Sequence, residues 1–246
     1  GEGGAYRDPN SPYRSWYDFD PKYKGGYRSW WGFETLPEVN EENPSYVEFI
    51  TGEGGVIDTW LRRGAAGFRL DVADELPDDF IEKIRAAVKR VSPEKFLLGE
   101  VWEDATTKYG FGQRRTYLLG KGLDSVMNYP FKNAVLDFVK GKPAEQAMGE
   151  ILSICEHYPA PAMDTALNFL STHDTERALT VIADEPANGR GREWQSGRCV
   201  TGEAYEEGML RLRMAYAIIY TLPGVPCLYY GDEIGMQGYR DPFNRA

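Results

Sequence analysis

A chain of 246 residues, 42% hydrophobic and 27% charged, has ordinary globular composition and the length to bury a sizeable core. Its net charge of -10 disfavours nucleic acid and anionic membrane as partners, and no apolar run approaches the roughly 20 residues of a membrane-spanning helix. Cys155, Cys199 and Cys227 are odd in number and far apart, which argues against a disulfide framework, and His157 and His173 are too few for a histidine-rich metal site. Residues 1–20 show no apolar signal-peptide region, and the acidic balance and unpaired cysteines favour a cytoplasmic over a secreted location.

Residues 1–43 crowd ten aromatic side chains from Tyr6 to Phe33 among Gly, Pro and Asp with no sustained period. They read as a long, ordered but irregular excursion. A helix over 44–64, loosened by Gly52, Gly54 and Gly55, leads into a strand at 67–72. The apolar spacing of "DDFIEKIRAAVKRV" predicts an amphipathic helix over 78–91. Strands follow at 95–102 and 123–129, helices at 131–140 and 144–157, a strand at 166–174 and a Gly-rich loop. A helix at 203–222, whose "MLRLRMAYAII" stripe reads as core, precedes a strand at 224–233. Cys155, in a helical pattern, and Cys227, in a strand pattern, read as small buried hydrophobes. Strands alternating with helices predict a parallel α/β architecture.

Asp71, Glu100, the His173–Asp174 pair and Asp232 each fall towards the C-terminal end of a predicted strand, the end that carries the active site in an α/β barrel. In "GFRLDVADEL" Arg69 and Asp71 share one face while Phe68, Leu70 and Val72 turn to what reads as core. A nearby cation favours an ionised carboxylate, and the apolar neighbours in "FLLGEVW" favour a protonated Glu100. That split suits the two carboxyl groups of glycoside hydrolysis, with Asp71 as nucleophile and Glu100 as acid. On these residues alone, Arg69–Asp71 also reads as a structural ion pair, Glu100 as a helix cap, His173 as a satisfied buried histidine and "DTER" as a capping box. The aromatic block suits either sugar rings or loop core.

In chain order "GFRLDVADE", "LLGEVWED", "FLSTHDTER" and "GVPCLYYGDEIGM" resemble successive conserved segments of the α-amylase family of retaining α-glycoside hydrolases, glycoside hydrolase family 13. "WWGFETLPEVN" resembles the segment closing domain B in the neopullulanase, cyclomaltodextrinase and maltogenic amylase group, and "RDPFNR" the substrate loop after the eighth strand. The resemblance implies a TIM (β/α)8-barrel type of fold, here a partial barrel of about strands 4–8, with residues 1–43 as the end of domain B and 44–246 as the C-terminal part of the barrel. It implies Asp71 as nucleophile, Glu100 as general acid/base and Asp174 as a third carboxylate that binds sugar hydroxyls and favours the distorted transition state. Arg69 and His173 would contact the sugar at subsite −1, and Trp102, Trp31, Phe33, Asp241 and Arg245 would bind substrate.

The implied reaction is double displacement on α-1,4 glucans, with α-1,6 linkages an option, on maltodextrins, cyclodextrins or pullulan. Retention expects the two catalytic carboxyls within about 5–6 Å. No cofactor is implied; calcium near domain B occurs in the family but maps to no residues here. The family's first conserved segment, with its Asp and His on strand three, has no counterpart. The chain therefore reads as a partial domain, with inactive or glucan-binding behaviour and a transglycosylase or isomerase activity as alternatives. Open barrel edges would favour self-association.

Overall fold

In the computed structural model, which describes residues 3–245, the chain divides into two units with the boundary in sequence between Leu97 and Leu98. In the first unit the aromatic block forms short 3-10 turns at Arg14–Trp16, Lys24–Gly26 and Trp30–Gly32. It is closed by isolated antiparallel bridges, Tyr17 with Val39 and Ser29 with Pro37. Trp16 packs edge-on against Tyr13 at 4.8 Å and Tyr46 at 5.3 Å, so part of the block is loop core.

Asn43 starts the first helix, α1 (Pro44–Thr51), by accepting the Ser45 and Tyr46 N–H groups through its side chain, with Pro44 at the first helical position. The expected single helix over 44–64 is broken. α2 (Val56–Arg62) begins only after a glycine turn in which Gly54 adopts φ +76°, a left-handed conformation that side chains resist. Asp58, in the first turn of α2, holds that turn shut: it accepts the Gly54 N–H at 3.1 Å and an Arg90 guanidinium N–H at 2.7 Å. Arg90 lies in α3 (Asp78–Val91), which covers the predicted 78–91 and buries Phe80, Ile81, Ile84, Ala87 and Val88.

The Gly54 N–H, and after it Arg90, hold the Asp58 carboxyl below its ordinary value of 3.8. A depressed folded-state value means that this stabilisation is complete above the unfolded-state value and disappears as pH falls through the folded one. Acid titration followed by circular dichroism is expected to show a loss of structure below about pH 4 that Asp58→Asn lacks. An acid transition identical in Asp58→Asn and the unsubstituted protein would remove Asp58 from this role.

β1 (Gly67–Leu70) runs beside the start of β2 (Phe96–Gly99), where the Phe96 N–H donates to Ala66 O at 3.1 Å. The approach requires Gly67, because a Cβ there would stand 2.0 Å from the Phe96 carbonyl oxygen. β1 ends sooner than the expected 67–72: Val72 takes φ 39°, a strained left-handed geometry for a β-branched residue, and a 3-10 turn at Ala73–Glu75 follows. Phe68 and Leu70, expected as core, are half-buried.

In the second unit β3 (Tyr109–Gly110) and β4 (Gln113–Arg114) form an antiparallel hairpin that the sequence did not signal. β5 (Ser125–Val126) lies parallel to β2, with Leu98 opposite Ser125 and Gly99 opposite Val126. The strand expected to 129 stops at Val126 because Asn128 accepts the Phe131 N–H and starts α4 (Tyr129–Val139). α5 (Ala144–His157), on the predicted span, and α6 (Ala160–Asp164) follow. β6 (Leu167–Asn168) sits beside Met127 through a parallel bridge at Leu167. After α7 (Ala178–Ala183), α8 (Arg192–Ser196) and α9 (Gly202–Ile219), β7 (Val225–Pro226) pairs parallel with β6. The core draws on Phe131, Val135, Ile151, Phe169, Leu170, Leu179, Leu212 and Ile219. Only part of the expected α9 stripe is core: Leu212, Ala215 and Ile219 share the buried face, while Leu210 and Met214 project from the exposed one. Cys155 and Cys227 are half-buried rather than buried, and burial raises both thiols above their ordinary range.

Candidate active site

Asp71 is the first residue after β1. Its carboxylate pairs with the Arg69 guanidinium, and its side chain is 76% exposed. The pair foreseen from the shared strand face therefore forms, with the carboxylate turned to solvent and free to meet a ligand. The strained Val72 fixes where the chain turns next to it. Four residues beyond Asp71, Glu75 accepts two indole N–H groups, from Trp30 at 2.6 Å and Trp31 at 3.0 Å. Trp31 is 76% exposed, and Phe33, also exposed, stacks on Trp30 at 6.2 Å. Trp31 and Phe33 are thus tied through Trp30 and Glu75 to the segment bearing Asp71. Glu75 was not singled out in the sequence, although it closes the motif "GFRLDVADE".

In the second unit Glu100 directly follows β2 and is 3% exposed. It caps no helix. The Trp102 indole N–H donates to its Oε1 at 3.1 Å, and the Trp102 ring stacks on Tyr129 at 4.2 Å and 13°. One carboxyl face is therefore held by an aromatic pair whose outer member, Trp102, borders a hollow of 770 Å³ that also touches Asp104, Asn133 and Gln146. Asp104, which closes the motif "LLGEVWED" but was not among the candidate site residues, contacts His157 Nδ1 at 2.6 Å. Burial pushes its carboxyl up, but hydrogen bonds from Thr106 and His157 outweigh this and hold it below its ordinary range.

His173 is exposed rather than a satisfied buried histidine, and its Nε2 lies 3.1 Å from Asp174 Oδ2. "DTER" is not a capping box: α7 starts at Ala178, whose N–H donates to Ser171 Oγ at 2.8 Å. Asp241 and Arg245 form an exposed ion pair of 2.7 Å. Asp232, grouped with the strand-end acids in the sequence, is not a site residue. It is buried against Arg177 at 3.0 Å and accepts from Ser171 at 2.6 Å and Tyr216 at 2.5 Å. Within the units, then, Arg69 lies with Asp71, Trp102 with Glu100, His173 with Asp174, and Asp241 with Arg245. Among the described residues no group of three or more His, Cys, Asp or Glu side chains is placed to hold a metal ion.

A buried carboxyl beside an indole N–H, an exposed carboxylate paired with arginine, and a carboxylate paired with histidine are the groups needed to donate a proton, attack a carbon and bind hydroxyls. Residues 13–245 match the model of the alpha amylase catalytic domain. The chain belongs to the alpha-amylase family. Its membership gives the fold a TIM-barrel type, in agreement with the alternation of strands and helices.

Among alpha-amylase family proteins the chain is 36% identical to an amylopullulanase of Thermoanaerobacter thermohydrosulfuricus, over 98% of this chain and 17% of that protein. It is 32% identical to neopullulanase 2 of Thermoactinomyces vulgaris, over 97% of this chain and 37% of that protein. The cyclic alpha-maltosyl-(1-->6)-maltose hydrolase from Arthrobacter globiformis, solved in complex with cyclic alpha-maltosyl-(1-->6)-maltose, superposes with a TM-score of 0.78 at 27% identity. That match covers 98% of this chain and 48% of the Arthrobacter enzyme. The chain spans 13–20% of the three amylopullulanases it matches and about half of that hydrolase.

Proposed function

We propose that this chain carries the catalytic carboxylates of a retaining α-glycoside hydrolase acting on α-1,4 glucans, with α-1,6 linkages also accepted. The observation that carries the reading is the placement of acids inside a family match spanning residues 13–245. Asp71 follows β1 directly, Glu100 follows β2 directly, and Asp174 lies shortly beyond β6. In barrel enzymes the residues that follow strand C-termini are the catalytic ones.

Glu100 gives its proton to the glycosidic oxygen while the Asp71 carboxylate attacks the anomeric carbon. The bond to the departing sugar breaks, the sugar leaves as an alcohol, and a β-glycosyl ester forms on Asp71. Glu100, now ionised, takes a proton from water, whose oxygen attacks the same carbon, releasing the α-anomer and the Asp71 carboxylate. Arg69 pairs with the Asp71 carboxylate, and Asp174 with His173 binds hydroxyls of the sugar being distorted. Trp102, Trp31 and Phe33 offer aromatic faces, and Asp241 and Arg245 polar contacts, to neighbouring sugars.

We further assign β1, β2, β5, β6 and β7 to the fourth through eighth strands of a barrel. Their chain order, the parallel pairings of β2 with β5 and β6 with β7, and the 48% share of the Arthrobacter hydrolase support this. The exposed rings of Trp31 and Phe33 also fit a second reading, in which the chain binds glucan without turnover. Incubation with β-cyclodextrin, pullulan and starch, with the first-formed anomer read by proton NMR, tests both. Release of the α-anomer is expected. A β-anomer would overturn double displacement, and tight glucan binding without any product would favour the second reading.

A further inference from the structure

We infer that Asn244 is a positioning residue that holds the backbone presenting His173 and Asp174; the inference rests on the glycosidase reading above. Asn244 is 0% exposed. Its Nδ2 lies 2.7 Å from His173 O, 2.9 Å from Thr175 O and 3.3 Å from Thr172 O. A side-chain amide has two N–H groups, so the two shorter contacts take them and the longer one shares. Two of the segment's own donors bond within it: the Thr172 N–H donates to Thr175 Oγ1 at 3.2 Å and the Asp174 N–H to Thr172 Oγ1 at 3.1 Å. Asn244 collects carbonyls from both sides of Asp174.

Asn244 is itself anchored. Its carbonyl accepts the Arg177 Nε–H at 2.8 Å, and the Arg177 backbone N–H donates to Gly238 O at 2.9 Å. Residues 238–244 are thereby fastened to residues 172–177 at two points. The amide's other end is unpaired: Oδ1 is buried and has no hydrogen-bond partner among the described residues. A buried acceptor without a partner disfavours the residue, so what justifies Asn at this position is the donation by Nδ2. Removing the amide frees the carbonyl of His173, which belongs to the peptide bond leading into Asp174. The carboxylate then loses its fixed position against the sugar.

The test compares the unsubstituted protein with Asn244→Leu, Asn244→Asp and Asn244→Gln, each checked for thermal stability. Misplacing a group by about 1 Å costs on the order of 10²-fold in rate, so Asn244→Leu and Asn244→Asp are expected to lose about 10- to 100-fold in kcat with KM for maltoheptaose nearly unchanged. Asn244→Gln, which keeps the amide one methylene further out, should fall between. Acarbose, a ring-distorted inhibitor, should lose more affinity than maltose. Full kcat in Asn244→Leu, or losses that merely track the unfolded fraction across the three variants, would overturn the inference alone. Absence of hydrolysis by the unsubstituted protein would overturn the glycosidase reading and this inference with it.

Discussion

Asp71→Asn is expected to abolish hydrolysis of both natural glucans and α-maltosyl fluoride, whereas Glu100→Gln should lose the glucans and keep the first step on the fluoride. The difference follows from the role proposed for each carboxyl. An amide cannot form the glycosyl ester, so Asp71→Asn should cost on the order of 10⁴–10⁶ in kcat whatever the leaving group. Glu100 supplies a proton that an alcohol leaving group needs and fluoride does not. Its replacement should cost about 10²–10⁴ on glucans and little in the glycosylation step on the fluoride. The ester then accumulates, because no base is left to activate water. Azide needs no base and should convert the ester to the α-glycosyl azide. Equal losses of the two variants on the fluoride would show that Glu100 is not the proton donor, and an active Asp71→Asn would end the assignment of Asp71.

The largest effect on stability is expected at Arg177 and Asp232. Both are buried, 3.0 Å apart, and the guanidinium also donates to the carbonyl of Tyr230. Asp232 is further held by Ser171 and by Tyr216, whose hydroxyl is pushed well above its usual range by burial and by Asp232, so that it stays a donor. Removing one partner of a buried pair strands the other charge. Arg177→Met or Asp232→Leu should each destabilise the protein by about 3–5 kcal/mol in urea unfolding at neutral pH. The double variant should recover much of that loss, since replacing both charges with apolar groups is often neutral or better. A loss below about 1 kcal/mol in either single variant would mean that the pair is open to water.

The amphipathic helices show what a local pattern can decide. α3 and α5 occupy the residues that apolar spacing assigns to them, because a helix is set by side chains three and four apart. The same holds for Asp71 and Glu100 at strand ends: the switch from apolar run to acid is written in adjacent residues. The strands are shorter than their apolar runs predict, because their ends depend on distant partners. Asn128, which starts α4 and also donates to Asn168 at 2.8 Å, ends one expected strand, and Asp232, drawn to Arg177, lies beyond the end of another.

By itself the sequence determined the alternating α/β class and the family, and it singled out the acids proposed to carry the chemistry, since each is expressed within a short run of residues. The tertiary structure alone decided which of those acids is a brace and which faces solvent. It set Asp232 against Arg177 across 55 residues and Trp30 against Glu75 across 45. It also placed Asn244 under the carbonyl of His173, 71 residues away. Hydrogen bonds and ion pairs over such separations are selected by how the chain packs, and no periodicity or spacing within a segment records them.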